Sequence, residues 1–178
     1  MIVFTGVAGS GKSMQGRMLA DQQALPWLST GEFLRMLVSG DERRDMLAGK
    51  LLDDEEIISM IQKIFNVVGV EEEFVMDGFP RTSGQADWLL NQVKYGQLDV
   101  TAVIHLTATK EAVLSRLLGR GRQDDTEEAI TERFREYEDS VKPILEQFKG
   151  AGIAVYDING EQPSEAVNQA ILSALGRS

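Results

Sequence analysis

Apolar and polar residues follow two rhythms along this chain. Five short runs are dense in β-branched and other apolar residues: Ile2–Thr5, Trp27–Leu28, Phe74–Asp77, Val100–Leu106 and Ile153–Tyr156. The longer stretches between them carry apolar residues at helical spacing, and the last places Val167, Ile171, Ala174 and Leu175 on one stripe. Strands alternating with helices predict an α/β fold with a parallel sheet covered on both faces. In that architecture ligands sit beyond the carboxyl ends of the strands. Residues directly after strands are therefore the candidates for chemistry. Four helix starts carry a capping-box pattern or its Asp variant: Ser29 with Glu32, Asp53 with Glu56, Thr82 with Gln85, and Asp125 with Glu128.

Composition narrows the function. A chain of 178 residues suits one domain with a full core. The net charge of −10 argues against nucleic acid and anionic membranes as partners. No apolar run approaches the ~20 residues of a membrane span, and no secretory signal is evident, so a cytoplasmic monomer is expected. The chain has no cysteine, which excludes disulfides and thiolate zinc sites. An acidic protein that binds a polyanionic small molecule must gather its few cations in one cleft. The arginine positions are informative for that reason.

The first strand runs into Gly6-Val-Ala-Gly-Ser-Gly11-Lys12-Ser13, which fits G-x-x-x-x-G-K-[ST] in its strand-to-helix context. Small residues such as Gly9, Ser10 and Gly11 let successive backbone N–H groups converge on an anion. The following helix adds the positive end of its dipole. Lys12 can reach the β- and γ-phosphates, and Ser13 can offer a hydroxyl to Mg²⁺. The loop implies a nucleoside triphosphate. It does not distinguish a switch GTPase, a motor ATPase or a small-molecule kinase.

Three further stretches make that distinction: LSTGEFLR (residues 28–35), MDGFPRTSGQAD (76–87) and RLLGRGRQDD (116–125). Together with the loop, in this order and over residues 1 to about 170, they resemble the adenylate kinases, within the nucleoside monophosphate kinases. The resemblance implies a P-loop NTPase fold with a five-stranded parallel sheet. It implies a core of residues 1–28, 60–115 and 135–178, a monophosphate-binding flap of about 29–59 and a short lid of about 116–134. The implied reaction is reversible, Mg²⁺-dependent phosphoryl transfer from ATP to AMP, giving two ADP.

On the acceptor side, Arg35 and Arg81 come from separate elements and can grip one monophosphate bidentately; the resemblance assigns both to AMP. Gln85 either reads an adenine edge, as in the family, or caps its helix behind Thr82. Thr30 matches the threonine beside the AMP base, Gly78 belongs to the same site, and Lys50, Leu51 and Leu52 match a further flap contact. Asp77 ends a strand facing the loop and suits Mg²⁺, directly or through water. The resemblance also implies a cis Phe79–Pro80 peptide.

On the donor side, Arg116 and Arg120 match ATP-binding arginines. Arg122 and Arg133 match residues that bridge the acceptor and transferred phosphates, which makes them catalytic with Lys12 and Arg81. Asp124 and Asp125 match acids behind these arginines, with helix capping equally open for Asp125. Gln162 falls in a loop similar to the one that reads the ATP adenine through its backbone. The chain departs from the family in several places, among them Glu32, which stands where aspartate is commoner. Ala8 replaces a proline, Ser13-Met14 stand where Gly-Thr is usual, and only Gly121 separates Arg120 from Arg122, so the lid is minimal. His105 is read as a satisfied core or strand-end residue. A kinase of another monophosphate and a catalytically weakened nucleotide-binding protein are the alternatives.

Overall fold

The computed structural model describes residues 1–37, 39–48, 52–68, 72–123 and 125–178. In chain order the elements are β1 (Ile2–Gly6), α1 (Lys12–Gln23), β2 (Trp27–Ser29), α2 (Thr30–Leu37), α3 (Gly40–Leu47), α4 (Asp54–Val68), β3 (Val75–Asp77), α5 (Ser83–Lys94), β4 (Ala102–Thr107), α6 (Lys110–Arg120), α7 (Glu127–Gly150), β5 (Val155–Asn159) and α8 (Ser164–Ala174). All five predicted strands form, and they pair in parallel in the order β2-β3-β1-β4-β5.

The central strand shows why both sheet faces are covered. Ile2, Val3 and Phe4 are fully buried, a continuous apolar run rather than an alternating one. Successive side chains leave the sheet on opposite faces. Val3 joins Met76, Val103, Phe79, Leu89 and Phe148 in one cluster, under α4, α5 and α7. Ile2 and Phe4 join Val75, Ile104, Leu19 and Ile171 in the other, under α1 and α8. A smaller cluster of Val7, Val113, Leu117 and Ile130 sits beneath the α6–α7 connection. The helix α4 crosses residue 59, the expected end of the flap, and Ile57, Ile61 and Phe65 all pack in the first cluster.

The capping expectations divide. The Thr82 side chain accepts from the Gln85 N–H, as predicted, and Asp53 Oδ1 accepts from the N–H groups of Glu55 and Glu56. Two require correction. Ser29 stays in β2 and donates its hydroxyl to Asp77 Oδ2, because a buried carboxylate draws the nearest donor. The cap of α7 is Thr126, which accepts from Ala129 N–H, and Asp125 turns inward to the arginines. The Phe79–Pro80 peptide is cis. Among the described residues, no helix is long and apolar enough to cross a membrane.

Candidate active site

β1 ends at Gly6, the loop Val7–Gly11 turns, and α1 begins at Lys12. Gly6 has φ +139°, and a Cβ there would lie 2.3 Å from the Leu106 carbonyl oxygen, so only glycine fits this turn. No side chain caps α1. Its first N–H groups are thus available to an anion, backed by the helix dipole. Across the loop, a Cβ on Gly160 would lie 2.4 Å from the Ser10 carbonyl, which accounts for glycine directly after β5.

Lys12 folds back over the loop, its Nζ donating to the Val7 carbonyl at 2.8 Å. Burial pushes its pKa down to about 8; Asp77 opposes that shift, and Arg81, Arg120 and Arg133 add to it. With Asp77 and Asp125 beside it, this cluster of cations still suits a polyanion such as a phosphate. Ser13 donates to Asp77 Oδ2 at 2.6 Å, and Ser29 donates to the same oxygen at 3.1 Å. Asp77 is 3% exposed. A buried carboxylate beside a serine hydroxyl is an all-oxygen donor set at the mouth of the phosphate loop, which suits a hard cation such as Mg²⁺. Met14 is half-exposed in the cleft wall and has no hydroxyl to offer, whereas Ser13 has one.

One cleft of about 640 Å³ runs along the carboxyl ends of the strands. Among the described residues, seven basic side chains line it, Lys12, Arg35, Arg81, Arg116, Arg120, Arg122 and Arg133, against two acidic ones, Asp77 and Glu136. This is the concentration of cations that a chain of net charge −10 needs to hold a polyphosphate. Arg35 and Arg81 converge over Gly31: a Cβ built there would lie 3.4 Å from Arg35 Nη1 and 3.5 Å from Arg81 Nη2. Arg81 Nε also donates to the Gly78 carbonyl at 2.8 Å, which orients its fork. At the other end, Arg116 Nη1 donates to the Gly9 carbonyl at 3.4 Å, and Gln162 lines the wall.

The connection between α6 and α7 is Gly121 to Thr126, a turn organised by one carboxylate. The Asp125 side chain is fully buried; its two oxygens accept from Arg120 Nε at 2.8 Å and Nη2 at 2.6 Å. It also accepts from the Arg122 backbone N–H at 3.1 Å, and Arg133 Nη1 lies 3.7 Å away. Burial alone would raise the Asp125 pKa. The Arg120 and Arg122 hydrogen bonds, with the charges of Arg120 and Arg133, outweigh burial and hold it below the usual carboxylate range. Its stabilisation is therefore complete above the unfolded carboxylate pKa of about 4 and is lost as pH falls through the folded value. Unfolding of Asp125→Asn and of the unsubstituted protein, measured from pH 5 down to pH 2, should show their stability difference shrinking. A constant difference would contradict this account.

Several expected residues stand elsewhere. Thr30 and Gln85, each 2% exposed, lie behind the cleft wall. The Gln85 amide links the start of α4 to the segment before α5: Nε2 donates to Asp54 Oδ1 at 2.8 Å, and Oε1 accepts the Arg81 backbone N–H at 2.8 Å. Leu52 is half-buried against the first core cluster. Lys50, Leu51 and Asp124 lie outside the described residues. Sequence reasoning missed the cleft wall of α7, where Glu136, Tyr137, Ser140, Val141 and Ile144 continue from Arg133. Their spacing marks one helix face, and that periodicity was the available signal.

A phosphate loop, a strand-end carboxylate and a cleft lined with arginines define a P-loop phosphotransferase. The chain matches the adenylate kinase family over residues 4–153. It is 34% identical to the adenylate kinase of Mycolicibacterium vanbaalenii and 32% identical to that of Corynebacterium urealyticum, in each case over 99% of both chains. It is 33% identical to the adenylate kinase of Prochlorococcus marinus over 98% of this chain and 97% of that one. The chain belongs to the adenylate kinase family, and it is a nucleoside monophosphate kinase.

Proposed function

We propose that the cleft holds Mg-ATP at the phosphate loop and AMP at Arg35 and Arg81, and aligns them for direct transfer of the terminal phosphoryl group. The convergence of two guanidiniums from different elements over Gly31 carries this reading, because it forms a fork for one monophosphate facing Lys12. The loop N–H groups, Lys12, Arg116 and Arg120 hold the donor. Arg122 and Arg133 face the gap between the two phosphates and offset the charge that develops there. Ser13 and Asp77 would hold Mg²⁺, which supplies charge neutralisation at the β- and γ-oxygens when bound.

The acceptor base is assigned to Thr30 and Gln85. Thr30 Oγ1 is buried with no hydrogen-bond partner among the described residues, and an orphaned hydroxyl at the start of α2, the helix that carries Arg35, fits a polar ligand group such as the base. For Gln85 to read a base, its amide would exchange Asp54 for the adenine edge as the flap moves. ADP formation from Mg-ATP, compared across AMP, CMP, UMP and dAMP, tests the assignment. AMP should lead CMP and UMP by at least about tenfold, the usual return on one matched pair of polar contacts, while dAMP, which carries the same base, stays close to AMP. Equal rates across the series would refute the adenine assignment.

The minimal lid has a consequence in the same assay. A six-residue turn pinned by Asp125 covers little of the donor phosphates, and water exclusion is what keeps the phosphoryl group from hydrolysis. ADP and phosphate release from ATP without AMP is the expected outcome, a slow leak against the transfer rate. Its absence would show that the turn and α7 seal the site unaided.

A further inference from the structure

His105 is a buried titratable group that the transfer scheme does not use. It is 6% exposed on β4, with Nδ1 2.5 Å from Asp157 Oδ1 and Nε2 2.6 Å from Tyr137 Oη. Asp157 is its register partner on β5, and Tyr137 comes from α7. A carboxylate only accepts, so Nδ1–H donates to Asp157. In the neutral ring, Nε2 then accepts from the Tyr137 hydroxyl. Both ring nitrogens are thus engaged, one with the sheet and one with a helix.

That helix is unevenly held. Ala129 and Ile130 are buried at its start, and Ile144, Leu145 and Phe148 near its end, but no residue between them is. Pro143 lies inside the helix, where it removes a backbone hydrogen bond and weakens the link between the two ends. The intervening stretch forms a wall of the cleft and carries Arg133 one turn before Tyr137, on the same face. Phe134 and Tyr137 lean on the small apolar cluster under the loop, their rings edge to face at 6.2 Å. Apolar contacts of this kind allow sliding; the bond from Tyr137 to His105 is directional and ties the stretch to the sheet.

We propose that His105 is a positioning residue for phosphoryl transfer: through the Tyr137 hydroxyl it fixes the part of α7 that carries Arg133, and so sets how Arg133 enters the cleft. The proposal rests on the transfer role assigned to Arg133. Asp125 holds the guanidinium end of that side chain, and the Tyr137–His105 bond holds the backbone it hangs from. A charged group displaced by a fraction of an ångström loses most where alignment matters most, in the transition state.

Tyr137→Phe tests this with the loss of one oxygen and the ring retained. The expected result is a fall in kcat of about tenfold, with KM for ATP and AMP each within about twofold. His105→Leu should match it, and the double variant should be no slower than either single one, since both break one link. In an Arg133→Ala background, Tyr137→Phe should change kcat by less than about twofold. A lowered thermal midpoint with unchanged kcat in the folded Tyr137→Phe protein overturns the proposal, because the bond is then only structural. A full tenfold loss in the Arg133→Ala background also overturns it, since the tie then acts on something else. Unimpaired kcat in Arg133→Ala alone removes the role of Arg133 itself, a separate failure that this single variant exposes.

Discussion

Lys12→Met is expected to slow phosphoryl transfer about a thousandfold, equivalent to ~4 kcal/mol of transition-state stabilisation. Methionine keeps most of the stem and removes the charge, together with the Nζ bond to the Val7 carbonyl. That charge is costly in the free protein: burial lowers the Lys12 pKa to about 8, against the attraction of Asp77 and with repulsion from Arg81, Arg120 and Arg133. A cation held at such cost is arranged for an anion that arrives later. Because charge accumulates on the transferred group only as it moves, nucleotide binding should weaken less than turnover does. The check is kcat beside the ATP dissociation constant measured by calorimetry. A variant with kcat within tenfold of the unsubstituted enzyme would remove Lys12 from the chemistry. The same burial has a pH consequence in the nucleotide-free protein: Lys12 is charged below pH 8 and loses its charge as pH rises through that value.

Arg81→Ala is expected to lower kcat/KM for AMP by about a hundredfold or more, ~3 kcal/mol, with KM for ATP nearly unchanged. Arg81 shares the place above Gly31 with Arg35, its Nη2 3.5 Å from where a Cβ on Gly31 would lie, and its Nε is committed to the Gly78 carbonyl, which fixes the plane of its guanidinium. Arg81→Lys is the sharper variant. It keeps the charge but cannot make the Gly78 bond and present a fork at once. Its AMP efficiency should stay within about tenfold of the alanine variant. Near-full activity in Arg81→Lys would mean that AMP is held by charge alone, without bidentate geometry.

The two substitutions probe residues of different legibility. Lys12 was readable directly, because a phosphate loop is a local device: its spacing of glycines, its lysine and the helix that follows all lie within ten residues. Arg81 was readable only as part of a longer motif, and nothing in its neighbourhood reveals that it meets Arg35 over a glycine 50 residues away in sequence. Gln85 shows the limit more clearly. Two uses of one amide fit the same spacing, and the structure adds a third partner, Asp54, from the start of α4. Asp125 fits a capping pattern, yet Thr126 caps and Asp125 gathers arginines. An adjacent threonine can cap a helix, whereas the paired guanidiniums need a full negative charge.

What the chain determined on its own was everything settled within a turn or two. β-branched runs became strands, helical stripes became helices, and the Thr82 cap and the phosphate loop formed where their residues lie, since steric limits and short-range hydrogen bonds act between near neighbours. The pairing of distant polar groups was decided only by tertiary structure. Asp77 meets hydroxyls 64 and 48 residues away, and His105 joins a strand partner to a helix across the cleft wall. A buried carboxylate or imidazole must find donors or acceptors, and which ones it finds depends on strand order and register.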